Sequence, residues 1–152
     1  MSSTIREQIL EYIAGTGAAG GPLTGGVVAV AGVTAVYRSR QAAVERSEGI
    51  VVLVQSKDEK VENRNTGLAI RDFSPEVILI LRSDTPEQDA DPIIALIQAA
   101  LFADQTLGGL ASRIIEEGTE WTFAEADTVA AEVSMTYRIR YLTPTTTLTA
   151  LA

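Results

Sequence analysis

Cysteine and histidine are absent from the 152 residues of this chain. Without cysteine there is no disulfide and no thiolate nucleophile, and without histidine the commonest general base near neutral pH is missing. Zinc loses its two most frequent ligands at the same time. Basic residues are also in deficit, 12 against 20 acidic ones, and the resulting net charge of −8 opposes binding to a phosphate backbone. No apolar run approaches the ~20 residues that a membrane-spanning helix requires, so a soluble protein without membrane contact is expected. The N-terminal stretch carries Arg6, Glu7 and Glu11 within its apolar pattern, which excludes the uninterrupted apolar core of a signal peptide. What remains is an apolar content of 46% in a chain of ordinary domain length, enough for one hydrophobic core. A single domain spanning 1–152 is expected, with no catalytic apparatus and no cofactor.

Thr4 followed by Glu7 forms a capping-box pattern, and Ile5, Ile9, Leu10 and Ile13 recur behind it at helical spacing. A short amphipathic helix ending near Ala14 follows. Residues 15–26 are dense in glycine and contain Pro22, which predicts a flexible loop. Strand character returns in the second half of 27–38, and the β-branched run Ile50 to Val54 predicts a strand buried on both faces. The polar stretch 56–67 reads as a mobile loop or as the far end of a hairpin. Residues 68–82 read as a strand, with Pro75 marking a bulge or break. Asp91 as N-cap and Pro92 at the first helical position would open a second helix bearing Ile93, Ile94, Ile97 and Leu101. Residues 120–124 look like a strand, and 133–142 alternate cleanly, with Met135, Tyr137, Ile139 and Tyr141 on one face and Ser134, Thr136, Arg138 and Arg140 on the other. The tail 143–152 is uncharged and reads as an arm that docks elsewhere or stays disordered. Together these elements predict an α+β fold: a mostly antiparallel, mixed β-sheet with two main α-helices packed on one face.

Each candidate site has a plain structural explanation beside it. Gly15, Gly17 and Gly20 spell the dinucleotide glycine pattern, but a helix precedes them and Gly21-Pro22 follows, which is the wrong order for a phosphate cradle. The acidic residues Asp84, Glu87, Asp89 and Asp91 lack the glycine and terminal glutamate of a calcium loop, and helix capping accounts for them. Nothing in the spacing of Glu116, Glu117, Glu120, Glu125 and Asp127 sets two carboxylates across a cleft. Arg38 and Arg40, two apart at a strand end, would project to one side as an anion or carboxylate clamp, with a surface salt bridge or a subunit contact as the plainer reading. Trp121, the sole tryptophan, reads first as a core anchor and second as an interface residue.

Four stretches carry a resemblance. Gly32-Val-Thr-Ala-Val-Tyr-Arg-Ser-Arg40, Ala103-Asp-Gln-Thr-Leu-Gly-Gly-Leu110, Glu117-Gly-Thr-Glu-Trp-Thr-Phe123 and Tyr137-Arg-Ile-Arg-Tyr141 resemble, in the same order along most of the chain, the tail terminator proteins of long-tailed bacteriophages. The glycine-rich stretch 15–26 is longer than the connection expected in that family. The resemblance implies a virion protein, assembled in the host cytoplasm, that forms a homohexameric ring on the head-proximal end of the tail tube and ends tube polymerisation. It implies the tail tube protein and the head-tail connector or stopper as partners, the tape measure protein as a further one, and DNA passing through the lumen without specific binding. An acidic lumen would suit such passage. Asp58, Glu59, Glu62, Asp84, Glu87 and Asp89 are the candidates to face the lumen or the tube, and Arg38, Arg40 and Trp121 to form the subunit interface. Another head-tail connector or tail-completion subunit, and a small-ligand-binding domain, are the alternatives.

Overall fold

The computed structural model describes residues 3–18, 20–38, 49–64, 66–124 and 129–152. The first helix, α1 (Ile5–Ala14), starts where the capping pattern places it, with the Thr4 hydroxyl accepting the Glu7 amide at 3.1 Å. The reciprocal half of the capping box is not made, because the Glu7 carboxylate turns instead to Arg38. Gly15 ends the helix at φ 95°, a conformation open to glycine at little cost, and returns its amide to the Glu11 carbonyl.

The segment expected as a flexible loop carries a small antiparallel ladder between β1 (Gly15–Thr16) and β2 (Thr24–Gly25). It then pairs Leu23 with Val36 of the next strand, β3 (Ala35–Arg38). Strand β3 runs parallel to β4 (Val51–Asn63), and β4 continues well beyond the apolar run: residues 56–63, expected in a loop, are strand. The hairpin alternative holds there. Arg64 donates to the Leu68 carbonyl at 2.7 Å, Gly67 turns the chain at φ 78°, and β5 (Leu68–Ser83) returns antiparallel. Polar side chains predicted a loop because both an exposed strand and a loop present them to water. Only the ladder partners on β5 distinguish the two.

The second helix, α2 (Pro86–Phe102), begins earlier than Asp91-Pro92 suggested. Thr85-Pro86 is the pair that opens it, leaving Pro92 inside the helix. The missing amide of Pro92 deprives the Gln88 carbonyl of its helical partner, and both residues are exposed, so water can take that place. The chain then turns through 103–111, where the Asp104 carboxylate accepts from the Thr106 amide and hydroxyl and from the Gly108 amide. This turn holds Leu107 at φ 50° with its side chain fully buried. Strand β6 (Arg113–Ala124) follows, and β7 (Val129–Pro144) completes the sheet.

The sheet order is β3-β4-β5-β7-β6, antiparallel except for the β3–β4 pair. The two helices share one buried cluster with Val52, Val54, Phe73, Val77, Leu79, Val133, Met135, Tyr137, Ile139 and Tyr141, so both lie on the same sheet face. The predicted α+β architecture is thus the observed one. Val51, Leu53 and Ile78 form a second buried cluster on the opposite face, as the unbroken apolar run at 51–54 requires. Pro75 marks a bulge as expected: the β4–β5 register shifts between Ser56 and Asp58, opposite Pro75 and Ser74. A second bulge, between Glu116 and Gly118 on β6, lies at the same level across the sheet. The tail 145–152 docks on its own domain. Leu148 accepts the Ile5 amide at the start of α1, and Thr145 and Ala152 donate to Gly67 and Leu142.

Candidate interaction surface

The alternation along β7 sorts its side chains by face. Tyr137 is buried among the helices, donates its hydroxyl to Gln98 on α2 at 2.9 Å, and its phenol is pushed above its ordinary pKa, first by burial and then by the nearby Glu116. Arg138 and Arg140 project from the helix-free face. Arg140 grips Asp72 with two bonds of 2.9 and 3.0 Å, and this contact holds the Asp72 carboxyl below its ordinary pKa. Arg138 pairs with Glu117, the extra residue of the β6 bulge, and Ser134 donates to Glu76. Around these groups the helix-free face forms an open depression of about 540 Å³, lined by Lys57, Glu76, Glu117, Glu120, Ser134 and Arg138 among others. Its charges are mixed: among the described residues that line it, Glu117 and Arg138 form an ion pair and Lys57, Glu76 and Glu120 do not, an arrangement suited to contacting a polar partner or water.

The six acidic candidates do not form one set. Glu59 is internal: its side chain is 9% exposed, ion-paired to Arg6 at 2.6 Å and to Arg71 at 3.3 Å, and it accepts the Tyr141 hydroxyl at 2.5 Å. It therefore ties α1, the hairpin and β7 together and leaves the list of lumen- or tube-facing residues. The bulge at Lys57 shifts the alternation of β4 by one, which moves Glu59 to the core side opposite Phe73. Asp58 and Glu62 are exposed near the hairpin end, with Arg64 3.6 Å from Glu62. Asp84, Glu87 and Asp89 are exposed at the start of α2, where Asp89 accepts the Thr85 hydroxyl at 3.4 Å. Strand β5 separates the two groups: from Ser74, opposite Asp58, to Asp84 is roughly 30 Å of strand. One local contact cannot engage both.

The arginine clamp is already occupied. Arg38 holds both oxygens of Glu7 at 3.0 and 3.1 Å, and its buried Nε is without a partner among the described residues. The pair sits beside a depression of about 310 Å³ bordered by the glycine segment and Glu11. Arg40, Glu125 and Asp127 lie outside the described residues. The glycine pattern at 15–20 leads into β2 rather than into a helix, so no helix N-terminus faces it. Among the described residues, no three acidic side chains are grouped to hold a metal ion, the cluster at 84–91 included. Glu116 accepts from Gln98, and Glu117 pairs with Arg138 in the depression that Glu76 and Glu120 also line.

Trp121 is not a core anchor. It is 43% exposed on β6, the outermost strand, next to Phe123 at 49%. Residues 121 and 123 sit opposite Val133 and Ala131, so both aromatic side chains emerge on the helix side of the sheet but beyond the packed core. Sequence reading missed Phe123 and expected Glu59 to face the lumen or the tube rather than Arg6, Arg71 and Tyr141. The Trp-x-Phe spacing was a usable signal for the first, since a period of two on a strand puts both rings on one face. No sequence signal marked Glu59, whose side is set by the bulge.

No family model matches the chain, and no curated protein matches it. Among solved structures, a chain of a structure titled "Virion of native gene transfer agent (GTA) particle" is similar at 15% identity and a TM-score of 0.34, over 90% of each chain. A likeness at that level establishes neither relationship nor role.

Proposed function

We propose that the chain is a structural virion subunit that caps the head-proximal end of a phage tail tube as a homohexameric ring. The reading is carried by the four stretches that resemble tail terminators. In the fold they are the entry and body of β3 as far as Arg38, the turn after α2, the bulged edge strand β6 and the centre of β7. All four are framework, as expected of a protein whose task is to present surfaces. The fold is compatible with the role, since an open polar sheet face and acidic groups at two separate ends offer distinct surfaces to the lumen, the tube and the connector.

Within this reading the tube and connector bind opposite ends of the sheet, Asp58 and Glu62 marking one end and Asp84, Glu87 and Asp89 the other. Arg40 serves the subunit interface, and Arg38 supports it indirectly by anchoring α1 through Glu7, while Trp121 on the outer strand β6 is left out of that contact. The test is electron microscopy of the protein mixed with purified tail tubes. A ring at one end of each tube is expected, and tubes that keep growing with both ends bare would sink the reading.

A further inference from the structure

The two edges of the sheet are treated differently. Strand β3, at one edge, is four residues long, and the glycine segment already covers it, Leu23 donating to the Val36 carbonyl at 2.8 Å. Strand β6, at the other, is 12 residues long, and no described segment pairs with its outer side. Proteins that must keep an edge silent place lysine or proline there, or shorten the strand. Strand β6 has neither residue, and its bulge lies in the first half, leaving 118–124 in regular register with β7. That regular stretch is also where Trp121 and Phe123 stand exposed.

Charge distinguishes the two sides of this edge. On the helix side the exposed groups are the two aromatic rings. On the open side Glu120 projects at the edge, Glu132 lies opposite Thr122 one strand further in, and both carboxylates are exposed with no cation within ion-pair distance among the described residues. The rest of the molecule reinforces this local field, with a net charge of −8. A strand laid along β6 would therefore meet apolar surface with every second side chain and negative charge with the others.

We infer that the outer edge of β6 is a docking site for an extended segment of another protein in which apolar residues alternate with lysine or arginine. The segment adds a sixth strand to the sheet. Its backbone pairs with residues 118–124, its apolar side chains cover Trp121 and Phe123, and its cations reach Glu120 and Glu132. This site does not depend on the ring reading, which concerns tubes and stoichiometry.

Because Trp121 is the sole tryptophan, its fluorescence reports the site directly. Short synthetic peptides of alternating valine and lysine, of alternating valine and glutamate, and of valine and lysine with alternate amides N-methylated would be titrated into the full chain. The valine-lysine peptide should shift the emission to the blue with saturation. The valine-glutamate peptide should bind roughly tenfold more weakly, as expected when two cross-strand charge pairs change sign. The N-methylated peptide should not bind. Phe123→Lys should abolish the shift, and Glu120→Lys should invert the preference between the charged peptides. Both positions are exposed, so circular dichroism should show the fold retained. The proposal is overturned if no peptide shifts the emission of the folded protein, if the N-methylated peptide binds, or if sign of charge makes no difference. It is equally overturned if sedimentation of the protein alone shows a dimer that Phe123→Lys dissolves, because the edge then belongs to a second copy.

Discussion

Glu59 holds the strongest charge arrangement at the level of single residues. A carboxylate with 9% of its side chain exposed is stable only because Arg6, Arg71 and Tyr141 converge on it, and removing its charge strands two guanidinium groups. Glu59→Gln is expected to lower stability by about 3 kcal/mol in a denaturant titration, whereas Asp58→Asn, on the exposed neighbour, should change it little. The Asp72–Arg140 pair gives a pH signature. Its carboxyl is held below the ordinary value of 3.8, chiefly by the hydrogen bond from Arg140, so its contribution is complete above that value and disappears as the pH falls through the lower folded one. Wild type should exceed Asp72→Asn by about 0.5 kcal/mol at neutral pH, the modest worth of a solvent-screened pair. The two should converge in strong acid, and a gap that persists there would assign the effect to packing instead.

Two elements differ from their sequence-based expectation for identifiable reasons. The segment 15–26 looked loose because glycine raises the entropy of the unfolded chain, yet at Gly26 the glycine serves close packing. A Cβ there would lie 2.2 Å from the Ala14 carbonyl carbon and 2.5 Å from the Gly15 nitrogen. Gly26→Ala should therefore cost more than about 2 kcal/mol, in the range of overpacked sites. Gly118→Ala, whose Cβ would meet nothing within 4 Å, should be nearly neutral by thermal melting. In α2 the sequence pointed to Asp91-Pro92 as the helix start, and local chemistry ranks that pair at least as high as the Thr85-Pro86 pair at which the helix begins. Burial of Ala90 under the helix favours the earlier start, because that contact requires the additional turn. Pro92→Ala should then stabilise the protein by about 1 kcal/mol, restoring an amide to the Gln88 carbonyl. Unchanged or reduced stability would point to a helix that begins at Pro92.

At the scale of the whole molecule, the unequal edges of the sheet decide where Trp121 sits. With no described segment on the outer side of β6, the native protein should emit at long wavelength, be readily quenched by acrylamide and change emission little on unfolding. A strong red shift on unfolding would show the ring to be buried. Much of the architecture was legible from residue pattern alone. The alternation of 133–142, the unbroken run at 51–54 and the Thr4–Glu7 cap each named an element that is present, since burial periodicity and capping are local properties of the chain. The candidate surface was legible only in part, because charge tells that a side chain is solvated or paired without telling which. The sequence by itself determined the α+β class, the helix-covered face and the absence of cysteine and histidine chemistry. Tertiary structure alone decided that β4 runs on through its polar half, that a one-residue bulge turns Glu59 inward, that Glu7 occupies Arg38, and that among the described residues β6 rather than β3 is left open. Those outcomes depend on pairing between residues distant in the chain, and a shift of one position in such pairing exchanges buried and exposed faces with no change in local sequence.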